Sequence, residues 1–344
     1  MKHVTMREVA ERAGVQPACV SVVLNNAQSN VRVSQEVREK ILAASLELGY
    51  KRNSSMSSLA KGRFGCVALL LSSDEAYSWL PRQVLQGVYD ELGKHNLHLT
   101  LFQIPEEDLA DEQKAPKILR EWVADGILID YTHKIPVGLQ SLIDEPRFPV
   151  VWINSKQEFD CVHPDDYAAS SQATEDLIAK GHRDIVFIDL DGIACPDESH
   201  YSSYDRLEGY KSAMEKAGLT SSTFTPPKKV DFELRAQAVE GFLQSLEKMA
   251  TAIIASNGEV AMATIWAASK LGYSVPEDLS VVSIGLRFKP FGPHVLTSYE
   301  VPHREMGKRA TEMLLKKIGK PQLRLPAEIV PFLYVEGNTA AALI

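Results

Sequence analysis

No stretch of this sequence approaches the ~20 uncharged apolar residues that a membrane span needs. The opening MKHVTMREVAERAG also lacks the apolar segment of a secretory signal. These two absences predict a cytoplasmic chain. Cysteine is scarce: Cys19, Cys66, Cys161 and Cys195 lie far apart, with no C-x-x-C pair and no metal-ligand spacing. Free thiols in a reducing compartment are therefore expected, and no metal site. G-x-G-x-x-G, the P-loop, G-x-S-x-G and H-E-x-x-H are all missing, so neither a cofactor nor an enzymatic activity is expected.

What is present is 344 residues, 45% hydrophobic and 24% charged, with a net charge of −8. That length and composition suit two or three globular domains. The charge is unevenly spread. Residues 1–63 hold ten Lys/Arg against five Glu, net +5, which leaves −13 on the remaining 281 residues. A small basic head on an acidic body confines phosphate affinity to the head.

Within that head, Thr5-Met6-Arg7-Glu8 has capping-box spacing. A first helix follows through Val9, Ala10 and Ala13 and stops at Gly14. Only Val15 and Gln16 precede Pro17, a good first-turn residue for a second helix through Val20, Val23 and Leu24. Two short helices joined by so tight a turn make a helix-turn-helix, whose second helix can enter a major groove. After NNAQSNVRV, Ser34 is placed to cap a third helix with Val37, Ile41, Ala44 and Leu48 on one face, ending at Gly49-Tyr50.

The body alternates apolar strands with amphipathic helices. CVALLL, LHLTLF, GILID and PVVWI read as parallel strands, with helices near 80–95, 113–124 and 136–144. A second series follows in DIVFIDL, TAIIAS and LSVVSI, with helices near 166–180, 205–217, 233–248 and 259–271. Two doubly wound α/β halves make two lobes, and the cleft at the carboxyl ends of their strands is the default ligand site.

VTMREVAERAGVQPACVSVVLNN and VSQEVREKILAASLELGYKRN resemble, almost position by position, the head piece of the lactose/purine repressor family. VADGILI, DLIAKGHRDIVFI, DRLEGYKSAMEKAGL and YSVPEDLSVVSI extend the resemblance through the body. It implies a transcriptional regulator, in expectation a repressor, with a three-helix head and a periplasmic-binding-protein-like core of two lobes. The implied division is a head at 1–52, a hinge at 53–63 and a core at 64–344. Lobe 1 is then expected at about 64–161 and 294–324, and lobe 2 at about 162–293 and 325–344. The implied partners are a palindromic operator DNA, a small-molecule effector and a second copy of the chain.

The resemblance assigns residues as well. Asn53, Met56 and Leu59 fall in the family's hinge helix, with Leu59 as the wedge that enters a minor groove and kinks the duplex. Base-edge positions fall on Pro17, Ala18 and Val22. Their side chains cannot hydrogen-bond a base, so thymine methyl contacts and DNA shape are expected to carry the readout. Gln16, Cys19, Ser21 and Asn25, with Thr5 at the first helix start, complete the DNA-facing set. For the effector, the resemblance points to Arg206 ahead of Gly209-Tyr210, Asp165 beside Asp166, Phe232, Asn257, and Tyr77 and Trp79 after the first strand. Read on spacing alone, Arg206 serves equally well as an ion pair at a helix start.

Two departures cut against the usual sugar effector. The family's Asn-Asp is here Asn257-Gly258, and its Gly-Phe-Asp is Ser283-Ile284-Gly285. Both hydroxyl-clamping carboxylates are gone, so a less acidic, more apolar pocket is expected, with a ligand that is anionic, aromatic or absent. Glu259 is expected to start a helix instead. A dimer contact is expected around Val84, Val88 and Leu92, whose spacing suits a core face equally. The last residues, VEGNTAAALI, carry no heptad, so a tetramer is not expected. Two other readings meet obstacles in the sequence. A transporter's solute-binding protein would need a signal peptide and has no use for a basic head. An α/β enzyme fused to a DNA-binding head would need a nucleophile or metal cluster near the cleft. His182 in KGH reads as structural.

Overall fold

The three head helices form where their local signals place them. The computed structural model describes residues 4–25, 32–51, 63–73, 78, 80–104, 124–131, 135, 148–191, 200–285 and 294–343. It divides into two units, Met1–Gly65 and Cys66–Ile344. In the first, α1 (Met6–Ala13) carries the full Thr5/Glu8 capping box and ends at Gly14, whose φ of 66° only glycine adopts freely. α2 (Pro17–Asn25) starts on its proline. α3 (Gln35–Glu47) is capped by the Ser34 hydroxyl, which accepts from the Val37 amide at 3.3 Å. Val9, Ala10, Val20, Val23, Ile41 and Ala44 close a core small enough for a three-helix unit. Arg12 pairs with Glu47 at 2.8 Å, tying α1 to α3.

The second unit holds two sheets of six strands. Sheet 1 has the order β11-β5-β4-β3-β1-β2 and sheet 2 the order β12-β10-β9-β8-β6-β7. β1 (Cys66–Ser72), β2 (His98–Ile104), β3 (Ile127–Asp130), β4 (Val150–Ile153) and β5 (Cys161–Pro164) build sheet 1, completed by β11 (Glu328–Val330). β6 (Ile185–Ile188), β7 (Ser222–Phe224), β8 (Ala252–Ala255), β9 (Ser280–Gly285), β10 (Thr297–Glu300) and β12 (Leu333–Val335) build sheet 2. All pairings are parallel except β10 with β12. Period-2 alternation sorts the side chains of β6. Ile185 and Phe187 face α5 (Asp166–Ala179) and α6 (Tyr201–Lys216), while Val186 and Ile188 face α7 (Arg235–Ser245) and α8 (Gly258–Lys270).

Several expectations need correcting. The chain leaves sheet 1 after Pro164, returns after Glu300, and crosses again between Val330 and Leu333. The lobes therefore divide near 164, 301 and 331 rather than at 161, 293 and 324. Polar strands such as TSYE gave no apolar signal to place β10 in lobe 2. Between the crossings lies α9 (His303–Lys317), a helix the sequence reading did not name. It packs with α4 (Arg82–Lys94) on one face of sheet 1. Glycines let these two helices approach closely: a Cβ on Gly87 would stand 2.0 Å from the Arg304 carbonyl oxygen, and one on Gly307 2.2 Å from that of Val84. Val84, Val88 and Leu92, expected at a dimer contact, are at most 2% exposed and belong to this core. The α6 helix starts at Tyr201, four residues before the expected 205. The helices expected near 113–124 and 136–144 lie outside the described residues, apart from Ala124.

His182 is structural. Its ring nitrogens reach Thr251 Oγ1 and the Ala341 carbonyl, each at 3.0 Å, and so pin the C-terminal segment to lobe 2. No helix among the described residues is long and apolar enough to cross a membrane.

Candidate functional site

The exposed side of α2 begins at the turn before it. Gln16, Pro17 and Ala18 are exposed, and Ser21 and Val22 half-buried. Val22 stands outside the head core, whereas Cys19 packs against it and is turned partly inward. The Thr5 hydroxyl is engaged in its capping box. Asn25 closes α2. Arg32, Arg38 and Lys51 make no ion pair among the described residues, which leaves them available to phosphates. Asn53, Met56 and Leu59 lie outside the described residues.

In the second unit, the carboxyl ends of the strands gather polar groups. Arg206, on the second turn of α6, donates from Nε to Asp166 Oδ1 at 2.7 Å and from Nη1 to the Ser256 carbonyl at 2.6 Å. Asp166 is wholly buried. Burial raises its pKa, and the adjacent guanidinium works against that rise. Gly285, at φ 115°, passes directly over the guanidinium: a Cβ there would sit 3.0 Å from Nη1. Burial and the Arg206 charge together push His303 down to about 4. Arg206 thus forms the ion pair that its spacing allowed, at the carboxyl ends of the lobe 2 strands.

The other assigned residues are placed differently. Asp165 caps α5, accepting from the Ala168 amide at 3.0 Å, so its neighbour Asp166 meets Arg206. Asn257 caps α8 through its oxygen and donates to Asp191 at 2.8 Å through its amide. Phe232 opens a short 3-10 turn and is 65% exposed. Tyr77 and Trp79 lie outside the described residues. Sequence reasoning missed Arg235, which is buried and bonded to both Asp191 and Glu259. Glu259 does begin α8, as expected, and also closes this pair.

The lobes meet through the start of α6. Tyr201 donates its hydroxyl to Asn154 Oδ1 at 3.1 Å, His200 Nε2 lies 3.2 Å from the Asn154 carbonyl, and Lys156 pairs with Asp205 at 2.6 Å. Asn154 follows β4 with φ 57°, a left-handed conformation that asparagine tolerates better than most residues. Tyr201 also meets His163 of β5 edge to face at 5.8 Å. Among the described residues, no group of three or more His, Cys, Asp or Glu is placed to hold a metal ion.

Comparison with known proteins agrees with this geometry. Residues 5–53 match the family described as bacterial regulatory proteins, lacI family, and residues 174–339 match a periplasmic binding protein-like domain. The HTH-type transcriptional regulator RegA of Clostridium saccharobutylicum is 27% identical over 348 residues, covering 96% of this chain and 98% of that protein. The HTH-type transcriptional repressor PurR of Proteus mirabilis (strain HI4320) is 29% identical over 322 residues, covering 91% and 90%. Among solved structures, the Lac repressor dimer bound to operator and the anti-inducer ONPF aligns with a TM-score of 0.79 at 20% identity, over 99% of this chain and 100% of that one. The transcriptional regulator CelR in complex with cellobiose aligns with a TM-score of 0.63 at 23% identity, over 98% and 100%.

Proposed function

The chain belongs to the lacI family of bacterial regulatory proteins and is a DNA-binding transcriptional regulator, and from that premise we propose how it reads DNA and what tunes the reading. The observation that carries the proposal is the exposed first turn of α2, where Pro17 and Ala18 face outward on a capped, well-packed head. Neither side chain hydrogen-bonds a base, so specificity comes from methyl contacts on thymine, from duplex shape and from Leu59 as a minor-groove wedge. Two copies of the chain occupy the half-sites of a palindrome in the cytoplasm and act as a repressor.

A small molecule bound between the lobes sets operator affinity by changing their closure. Arg206 supports this reading, with Nη2 left unused by its bonds to Asp166 and Ser256. The test is selection of bound duplexes from a random pool, repeated with metabolites present. A palindrome should be enriched, with thymines opposite the Pro17 and Ala18 positions. Failure to enrich any palindrome sinks the proposal, and operator affinity that stays constant while the cleft binds a ligand sinks its sensory half.

A further inference from the structure

Asp130 ends β3 at the carboxyl edge of sheet 1. It stands opposite Leu71 of β1 and one step past the Ile129–Trp152 pair. The residue is 1% exposed, yet among the described residues neither carboxylate oxygen has a hydrogen-bond partner. Its main-chain oxygen accepts from the Ser78 hydroxyl. Burial holds its pKa well above the usual carboxylate range. Native folds pair nearly all buried polar groups, and the exceptions concentrate where a ligand completes them.

On the lobe 2 wall, by contrast, both arginines are already paired. Arg206 is met by Asp166, Arg235 by Asp191 and Glu259, and the Asn257 amide by Asp191. Asp189, a further buried acid on that wall, accepts from the Asp191 amide, so the carboxylate left without a partner on either oxygen among the described residues is Asp130, and its missing complement is positive. We propose that Asp130 anchors a cationic effector, a small organic molecule whose ammonium or amidinium N–H groups donate to both carboxylate oxygens. The carboxylic proton that neutralises the empty site leaves to solvent as the cation enters, so charge balances in both states. This inference rests on the reading of the space between the lobes as the sensor site.

The test uses the full chain and thermal unfolding against three matched sets of compounds. Putrescine, agmatine and glucosamine are the cations, 1,4-butanediol and glucose the neutral counterparts, and gluconate and glucose 6-phosphate the anions. At least one cation should raise the melting temperature by several degrees, and Asp130→Asn should abolish that shift. The isosteric amide removes a buried acid, so the variant alone should melt no lower than the parent. Asp130→Ser provides the same comparison if the amide folds poorly. Stabilisation confined to neutral or anionic compounds, a cation effect that survives Asp130→Asn, or no shift from any cation overturns the inference. Operator affinity measured in the same samples separates the two claims. Cation binding without a change in operator affinity faults the sensory reading alone, whereas operator release by glucose that ignores Asp130→Asn faults this inference alone.

Discussion

Arg206 is held from three sides, by Asp166, by the Ser256 carbonyl and by the bare backbone of Gly285. Removing the guanidinium strands a buried acid. Arg206→Met should therefore cost about 3–5 kcal/mol in urea unfolding, and pairing it with Asp166→Leu should recover most of that loss. Resemblance led to this arginine and to the Asp165-Asp166 pair, but not to which of the two acids it grips. Asp165 and Asp166 are adjacent in sequence and point ~100° apart around a helix start, so one becomes the cap and the other the partner. That distinction depends on where α5 begins, a boundary sequence fixes only to within a residue or two. Asp130 did carry a legible signal, a lone carboxylate ending the apolar strand GILID. His303 adds a pH dependence. Its folded pKa of about 4 lies below the 6.5 of an exposed histidine, so the unfolded chain takes up a proton first and stability falls as pH drops from 6.5 towards 4. The buried acids Asp130, Asp166 and Asp189, shifted upward, act in the opposite sense. Comparing His303→Gln with the parent isolates the histidine, and the variant should lose a slope of at most ~1.4 kcal/mol per pH unit.

At the scale of elements, what was legible was local. The capping box, Gly14, Pro17 and Ser34 each act within four residues, and all three head helices start, and the first stops, where those residues require. Thr5→Ala should destabilise the head by about 1 kcal/mol, seen as an earlier melting of its helical signal. Apolar runs revealed the inner strands for the same reason. The strands β10, β11 and β12 are short and in part polar, β11 and β12 at the sheet edges, and their membership is decided by distant partners. The contact of α4 with α9 shows the same limit. Gly87 and Gly307 are unremarkable in sequence and become essential only when the fold brings together two helices whose glycines are 220 positions apart. Gly87→Ala places a methyl on the Arg304 carbonyl and should cost about 1–3 kcal/mol or more, measured as a fall in denaturant midpoint with an unchanged slope.

Across the second unit, the two lobes are joined both covalently, by three crossings, and by the Asn154–Tyr201, Asn154–His200 and Lys156–Asp205 contacts. Lys156–Asp205 is half-exposed, so Lys156→Ala should change global stability by no more than about 1 kcal/mol. Tyr201→Phe is the more informative change. Losing one net hydrogen bond of ~1 kcal/mol shifts an open–closed equilibrium about fivefold. The effector concentration needed to alter operator affinity should move by a similar factor.

The three crossings also govern the order in which the protein comes into being. The head is one continuous stretch and can fold as soon as residues 1–65 leave the ribosome. Neither lobe has that freedom. Sheet 1 waits for β11 at residues 328–330, and sheet 2 for β12 at 333–335. During synthesis the part that grips DNA is therefore complete long before the part that governs the grip, and both lobes reach completion within a few residues of each other.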